Sequence, residues 1–328
     1  MARVLSGIQP SGGLHVGNYL GALRQWVVDQ DEHDAFYCIV DLHALTLDIS
    51  PEELRQRSLD TAIGLLAAGL DPNRCTVFFQ SAVSEHAELS WILECVATMG
   101  ELRRMTQFKE KSGGQESVRV GLFTYPVLMA ADVLLYQADR VPVGDDQRQH
   151  LELTRDIAVR FNARYGQTFV VPEAAIPRVA ARVMDLQHPE NKMSKSTSTA
   201  AGLIEMTDAP EVIEKKIKRA VTDTDDEVRY DPEKKPGVSN LLELLGAALR
   251  TSPSALAPRY ANYGELKKDT AHALIELLRP LRERVLELSA DPGAITEVLA
   301  KGASKAREVA HLTYLRARAA VGLIAKEH

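Results

Sequence analysis

Val4-Leu5-Ser6-Gly7-Ile8-Gln9-Pro10-Ser11-Gly12-Gly13-Leu14-His15-Val16-Gly17-Asn18 decides how the chain folds. Val4 to Ile8 is a short apolar run that predicts a strand, and a helix is expected from about Tyr19. Small residues join the two and let backbone approach a phosphate or a base closely. The helix N-terminus adds free N–H groups and positive potential for an anion. His15 can donate to a phosphate oxygen as charge develops there. The spacing is neither G-x-G-x-x-G nor G-x-x-x-x-G-K-[ST]. By itself, such a turn is also compatible with a tight connection that binds nothing.

The same alternation continues for two hundred residues. Ala35 to Val40, Thr76 to Gln80, Val141 to Val143 and Thr168 to Val171 read as further strands. Their near-continuous apolar character suits a parallel sheet covered on both faces. Ser50-Pro51-Glu52-Glu53 has the form of a capping box with proline in the first helical position. That helix is expected to reach Ala68 and stop at Gly69. Strand and helix in repetition predict an α/β fold, a doubly wound, Rossmann-like parallel sheet. A helical stretch from about 84 to 139 interrupts the rhythm, with Gly113-Gly114 as a loop and Tyr125-Pro126 as a helix start. After Met206 the strands cease. Asp208-Ala209-Pro210-Glu211 caps a helix, and apolar periodicity predicts helices over Asn240 to Leu249, Leu266 to Leu288, Ala294 to Ala300 and Ala303 to Leu323. The expected organisation is a catalytic domain over 1–206, including the helical insertion, and an all-α domain over 207–328.

Composition narrows the function classes. Of the 328 residues, 45% are hydrophobic and 26% charged, enough apolar material for real cores. No apolar run is long enough for a membrane span, and the start of the chain lacks the pattern of a signal peptide, so a cytoplasmic protein is expected. Cys38, Cys75 and Cys95 form no C-x-x-C pair and sit in apolar segments, which predicts buried reduced thiols. The net charge of −6 argues against gripping nucleic acid through overall basicity, and DNA is not an expected partner. Residues 1–206 hold 19 Lys/Arg against 26 Asp/Glu, and residues 207–328 hold 20 against 19. The C-terminal part is therefore the better candidate for an RNA-facing surface. His86, His150, His188, His272 and His311 lack metal-ligand spacing and read as surface or packing residues, so no protein metal site is expected. Trp26 and Trp91 occupy helical apolar positions suited to core or interface.

Two further stretches carry chemistry. Asn191-Lys192-Met193-Ser194-Lys195-Ser196 places two lysines among small polar residues. Such a loop can close over a triphosphate and meet the charge of the leaving group, or it can be a solvated linker. Tyr125-Pro126-Val127-Leu128-Met129-Ala130-Ala131-Asp132-Val133-Leu134-Leu135-Tyr136 contains one charged residue, Asp132. A carboxylate on an apolar helix is costly unless it finds a donor. Met129, one turn earlier, shares its face. Asp132 either faces solvent, forms an internal hydrogen bond, or floors a pocket.

His15-Val16-Gly17-Asn18 resembles the H-I-G-H signature of the class I aminoacyl-tRNA synthetases, with Asn18 in place of the last histidine. That departure leaves the division of labour between His15 and Asn18 open. Lys192 to Ser196 reproduces the family's K-M-S-K-S signature without a mismatch. Ser6 to Gly12, Met105 to Ser112, Tyr125 to Tyr136 and Val141 to Gln147 are similar to stretches of the bacterial tryptophanyl branch, and Asn240-Leu241-Leu242 extends the likeness weakly.

The resemblance implies adenylation of L-tryptophan by ATP, with Mg²⁺ accompanying the triphosphate, and transfer to tRNA(Trp). It implies ATP contacts from Gln9, Pro10, Ser11, Gly17, Asn18, Gly144, Asp145, Asp146, Val183, Lys192, Met193, Ser194, Lys195 and Ser196. Asp146 would hold the ribose. His15, Asn18, Lys111, Lys192 and Lys195 would serve the phosphates during catalysis. Leu5, His43, Met129, Asp132, Val141 and Val143 would line the indole pocket, Asp132 accepting the indole N–H, and Gln147 would hold the ammonium group. The helical domain would read the anticodon, where single-stranded bases are accessible, and the helical insertion would pair two copies into a homodimer. A tyrosyl-type relative, a non-catalytic paralogue and another adenylyltransferase are the rival readings.

Overall fold

A computed structural model describes residues 2–10, 12–112, 118–142, 147–175, 183–195 and 198–324. Five parallel strands form its sheet, in the order β3-β2-β1-β4-β5: β1 (Arg3–Ile8), β2 (Asp34–Ile39), β3 (Thr76–Phe79), β4 (Arg140–Pro142) and β5 (Glu173–Ala175). The order reverses at β1, which lies between β2 and β4, so connections leave on opposite faces there and open a crevice at the strand ends. The expected doubly wound α/β fold is what the chain adopts.

Side chains alternate across the strands and feed two apolar cores. On β2, Ala35, Tyr37 and Ile39 join one core, and Phe36 and Cys38 the other. On the first face lie α1 (residues 16–32, with a π-type turn at Tyr19–Leu23) and α2 (Pro51–Ala67). Trp26 belongs to this core: its ring stacks on Tyr37 at 4.8 Å, and its carbonyl accepts the Tyr37 hydroxyl at 2.8 Å. The second face carries α3 (Glu85–Glu94), α4 (Met99–Arg104), α5 (Thr106–Ser112), α6 (Val120–Leu135) and α7 (Arg148–Tyr165).

The C-terminal helices are α8 (Pro210–Lys218), α9 (Pro236–Leu249), α10 (Tyr263–Ser289) and α11 (Pro292–Ala320). Both apolar cores cross residue 206. Val238, Leu241, Leu245, Leu266 and Leu274 share the first with Val16, Leu23 and Leu65, while Ala306, Ala310 and Ala317 share the second with Phe78 and Leu93. Helix α11 presses so closely on β3 that a Cβ on Gly302 would lie 1.9 Å from the Val77 carbonyl oxygen.

Several local expectations change. Thr168 to Val171 is not the fifth strand, which begins at Glu173. Asn162 and Gln137 take its peptide groups instead: Asn162 Oδ1 accepts from the N–H groups of Thr168 and Phe169, and Gln137 Oε1 from that of Val170. The helix expected from Tyr125 begins at Val120 and carries Pro126 inside it. The helix expected from Tyr19 begins at Val16, that expected from Asn240 begins at Pro236, and the last two expected helices are one, α11. Ser50 Oγ accepts the Glu53 N–H at 3.2 Å as a capping box requires, but the Glu53 side chain turns to Arg57. Gly69, at φ +110°, ends that helix as expected. Cys38 and Cys75 are buried, whereas Cys95 is exposed.

Candidate active site

The connection after β1 reaches the crevice with His15 at the mouth of α1. Asn18 turns back to cap this entry, its Oδ1 accepting the His15 N–H at 3.1 Å. Gly17 is required by close approach: a Cβ there would lie 2.9 Å from the His15 ring and 3.7 Å from Val183 Cβ. His15 is buried, and its Nδ1 has no hydrogen-bond partner among the described residues. Burial, and then the charges of Lys195 and Lys192, lower its pKa to about 4, against an opposing pull from Glu205. His15 is therefore neutral near pH 7, with a ring N–H to donate and no charge of its own.

The lysine loop stands against this turn. Lys195 Nζ lies 3.1 Å from the position a Cβ on Gly12 would take and 3.3 Å from that on Gly13. It forms an ion pair with Glu205 at 2.8 Å. Backbone pairing locks the two regions together: Val16 N–H donates to Ile204 O and Met206 N–H to Leu14 O, each at 2.9 Å, flanking an antiparallel bridge between His15 and Glu205. Val183 and Met193 are both buried and bonded to each other, the Met193 N–H donating to Val183 O at 3.1 Å. Lys192, on the same short hairpin, is exposed. Two stretches far apart in sequence thus converge on one cationic, glycine-walled turn suited to a polyphosphate.

Asp132 is turned inward on α6 and is 5% exposed. Its Oδ1 accepts from Gln80 Nε2 and from His86 Nδ1, each at 2.6 Å, and its Oδ2 bonds His43 Nε2 at 2.8 Å. His86 Nε2 in turn meets the Tyr136 hydroxyl at 2.9 Å, which fixes the ring's tautomer if the phenol donates. Burial alone would push the Asp132 carboxyl up, but the bonds from His43 and His86 outweigh it and hold the group well below the usual carboxylate range. Asp132 therefore stays ionised and can accept, not donate. Oδ2 faces His43, itself only partly buried, so this is the oxygen a ligand's donor would reach.

His43 links the two regions. Its carbonyl accepts from Gln9 Nε2 at 3.5 Å, and its ring bonds Asp132. Leu5 on β1 and Val141 on β4 are buried in the same core as Val127 and Ala131, while Met129 and Gln147 are half-buried. Pro10 is buried beside the β1 turn. Tyr125 lies edge-on to His43 at 6.1 Å, its hydroxyl paired with Gln107 Oε1 at 3.0 Å and His150 Nε2 at 2.7 Å. Ser194 lies on the lysine loop, its N–H bonded to Ser198 Oγ. Ser11, Val143, Gly144, Asp145, Asp146 and Ser196, with the side chain of Lys111, fall outside the described residues.

Four groups have no signal in the sequence that points to the site. His86 reads there as surface or packing, yet it is fully buried on Asp132, and His150 is buried on Tyr125. Gln80 ends a strand and gives no sign of its partner. Glu205 has none of the spacing of a motif. Among the described residues, no group of three His, Cys, Asp or Glu side chains is arranged to hold a metal ion.

Comparison with known proteins gives one answer. A family model described as tRNA synthetases class I (W and Y) matches residues 1–279. A tryptophan–tRNA ligase of Streptomyces coelicolor is 57% identical, with 99% of this chain and 98% of that protein covered. One from Mycobacterium leprae is 52% identical, covering 98% and 97%. The tryptophanyl-tRNA synthetase structure from Mycoplasma pneumoniae superposes with a TM-score of 0.91 at 36% identity, covering 99% of this chain and 98% of that one. That from Campylobacter jejuni, complexed with ADP and tryptophan, gives 0.85 at 37% identity, covering 98% and 100%. With the described residues of both signatures meeting at one turn, and a buried ionised acid bonded to His43, the chain belongs to the class I tRNA synthetases, among the bacterial tryptophanyl-tRNA synthetases.

Proposed function

We propose that the chain activates L-tryptophan with ATP, forming tryptophanyl-adenylate and pyrophosphate, and then transfers the tryptophanyl group to tRNA(Trp) with release of AMP. The observation that carries the reading is the meeting of His15 with the lysine loop in the connection after β1, where Gln9 donates to the carbonyl of His43, the residue whose ring bonds the buried, ionised Asp132.

In the first step an oxygen of the tryptophan carboxylate bonds to the α-phosphorus while the bond to the bridging oxygen of pyrophosphate breaks. No protein nucleophile is needed; positioning and charge stabilisation suffice. Neutral His15 donates a ring N–H to a phosphate oxygen, and Lys192 and Lys195 meet the charge that gathers on pyrophosphate, with Lys111 a lesser contributor. Asn18 holds the turn, and its side chain can exchange its backbone partner for a phosphate oxygen. By the family resemblance Gly17, Val183, Met193 and Gly144 contact ATP, and Asp146 holds the ribose. The charges that act on His15 are those of Lys195 and Lys192, with Glu205 opposing them, so Mg²⁺ would enter with the nucleotide, whose phosphates would supply most of its ligands.

Tryptophan offers one side-chain donor. Asp132 Oδ2 accepts it, replacing the bond from His43, while Leu5, Met129, Val141 and Val143 enclose the ring and Gln147 takes the ammonium. In the second step a terminal ribose hydroxyl of the tRNA bonds to the tryptophanyl carbonyl carbon, and AMP leaves. Residues 207–328 hold the anticodon. Two copies pair through the helical insertion, a role supported by Trp91, 69% exposed, and by exposed Met99 and Val120. These steps belong to a cytoplasmic translation enzyme. Tryptophan-dependent exchange of labelled pyrophosphate into ATP tests the first step; exchange driven by another amino acid, or by none, would refute it.

A further inference from the structure

We infer that Asn240, on α9 of the C-terminal helical part, is a positioning residue for the lysine loop. The hairpin that carries Lys192 is a narrow antiparallel pair. Met193 N–H donates to Val183 O at 3.1 Å and Asp185 N–H to Asn191 O at 2.9 Å, with Met184 opposite Lys192 between them. A residue in that intermediate position points its own N–H and C=O away from its partner strand. For Met184 that direction leads to Asn240. The Met184 N–H donates to Asn240 Oδ1, and Asn240 Nδ2 donates to the Met184 carbonyl, both at 2.9 Å. Asn240 is 3% exposed. One buried amide thus replaces a third strand along this edge and satisfies two peptide groups that burial would otherwise leave unpaired.

Helix α9 is itself anchored independently of the loop. Buried Lys235, just before it, bonds Asp223 at 2.9 Å, Asp225 at 3.1 Å and the Tyr263 hydroxyl at 3.1 Å, and Ser239 Oγ accepts the Asp231 N–H at 2.9 Å. Asn240 carries that fixed reference to Met184. From Met184 it passes across the hairpin to Lys192 and along it to Val183, which lies against Gly17. The loop's lysines therefore have their place set by a helix that the sequence assigns to the other part of the molecule. The hydrogen bonds of the Asn240 side chain go to the Met184 peptide, not to a residue assigned to phosphate or tryptophan. The side chain must both donate and accept over the span of one peptide, which asparagine does and aspartate does not.

The proposal rests on the adenylation reading of the site, and the test separates the two. Asn240→Asp and Asn240→Gln are compared with the unaltered full-length chain for three quantities: tryptophan-dependent ATP–pyrophosphate exchange, tryptophan affinity by equilibrium dialysis, and amide hydrogen exchange over peptides covering 183–195. For Asn240→Asp, exchange is expected to fall about 10- to 100-fold, as for a misplaced catalytic group, chiefly in kcat, with tryptophan affinity within about threefold. Amide exchange should quicken in 183–195 while α6 and β1 stay as protected as before. Asn240→Gln, which keeps donor and acceptor on a longer arm, should recover part of the rate. Unchanged catalysis and unchanged protection in both variants would overturn the proposal, as would equal losses of tryptophan affinity and exchange rate. If Asn240→Asp does not fold, the Asn240→Gln protection pattern decides by the same criterion. Failure of the adenylation reading would show instead in the unaltered chain, as absence of tryptophan-dependent exchange.

Discussion

Asp132→Asn isolates one oxygen atom of the site. Gln80 and His86 both present donors to Oδ1, each at 2.6 Å. In the variant the amide oxygen keeps that place, because the NH₂ group would face two donors there. The NH₂ then takes the position of Oδ2, toward His43 and, in the proposed site, toward the indole. An acceptor becomes a donor where the ligand's only polar side-chain atom is also a donor. A hydrogen bond to a charged group contributes about 1.5–3 kcal/mol, more when its loss leaves a buried group unpaired. At 1.4 kcal/mol per decade, kcat/KM for tryptophan should fall roughly 10- to 150-fold. Steady-state pyrophosphate exchange over a range of tryptophan concentrations reads this directly, with a thermal melt to check that the variant folds. Phenylalanine, which lacks the N–H, should gain on tryptophan by a similar factor. A folded Asp132→Asn protein with kcat/KM for tryptophan within about twofold of the parent would refute the reasoning, because no acceptor at Oδ2 would then be in use.

Lys195→Ala should slow adenylate formation about 10²- to 10³-fold, as loss of a charge aimed at the leaving group does, with tryptophan affinity nearly unchanged; single-turnover kinetics beside equilibrium dialysis checks it, and equal losses count against it. Glu205→Gln frees Lys195 from its 2.8 Å partner. Since a partly exposed pair is worth about 0.2–1 kcal/mol, KM for ATP should fall by up to about fivefold; a rise would mean that Glu205 holds Lys195 in its working place. His15 gives a pH signature. Its pKa falls from 6.5 in the unfolded chain to about 4 in the folded protein, so between these values the unfolded state binds more protons and stability rises with pH. Its contribution is complete above pH 6.5 and is lost as pH falls toward 4, on the order of 3 kcal/mol in all. Urea unfolding of His15→Gln across that window should show a shallower pH slope than the parent chain, and identical slopes would remove His15 from this role.

Local physics makes much of the fold legible in the sequence: the near-continuous apolar run of β2 is buried on both faces, and Ser50 caps its helix, although Glu53 turns to Arg57 and does not complete the box. The two signatures are visible as sequence, but their contact is not: nothing in Lys195 says that it will lie over Gly12 and Gly13. The apolar run around Phe169 reads as a strand because Phe169 is buried, yet its peptide groups are taken by Asn162 and Gln137, and pairing of that kind leaves no periodic trace. Pro126 suggests a helix start because proline at a first turn and proline within a helix look alike when apolar residues precede it. His86 lacks metal spacing and so reads as packing, although its partner is a carboxylate 46 residues away. Asp132 stands out in the sequence as a costly lone charge, while the three groups that make its burial tolerable lie on other elements and share no spacing with it. Gly144, Asp145 and Asp146, which the resemblance assigns to ATP, lie outside the described residues.

Charging of total bacterial tRNA with each of the twenty amino acids bears most directly on the central claim, that a buried ionised acceptor selects indole beside an adenylating turn. The account predicts ATP-dependent attachment of tryptophan alone, to a single tRNA species, with loss of charging in Lys195→Ala and a reduced rate in Asp132→Asn. Attachment of tyrosine in preference to tryptophan, or tryptophan binding without charging of any tRNA, would contradict it.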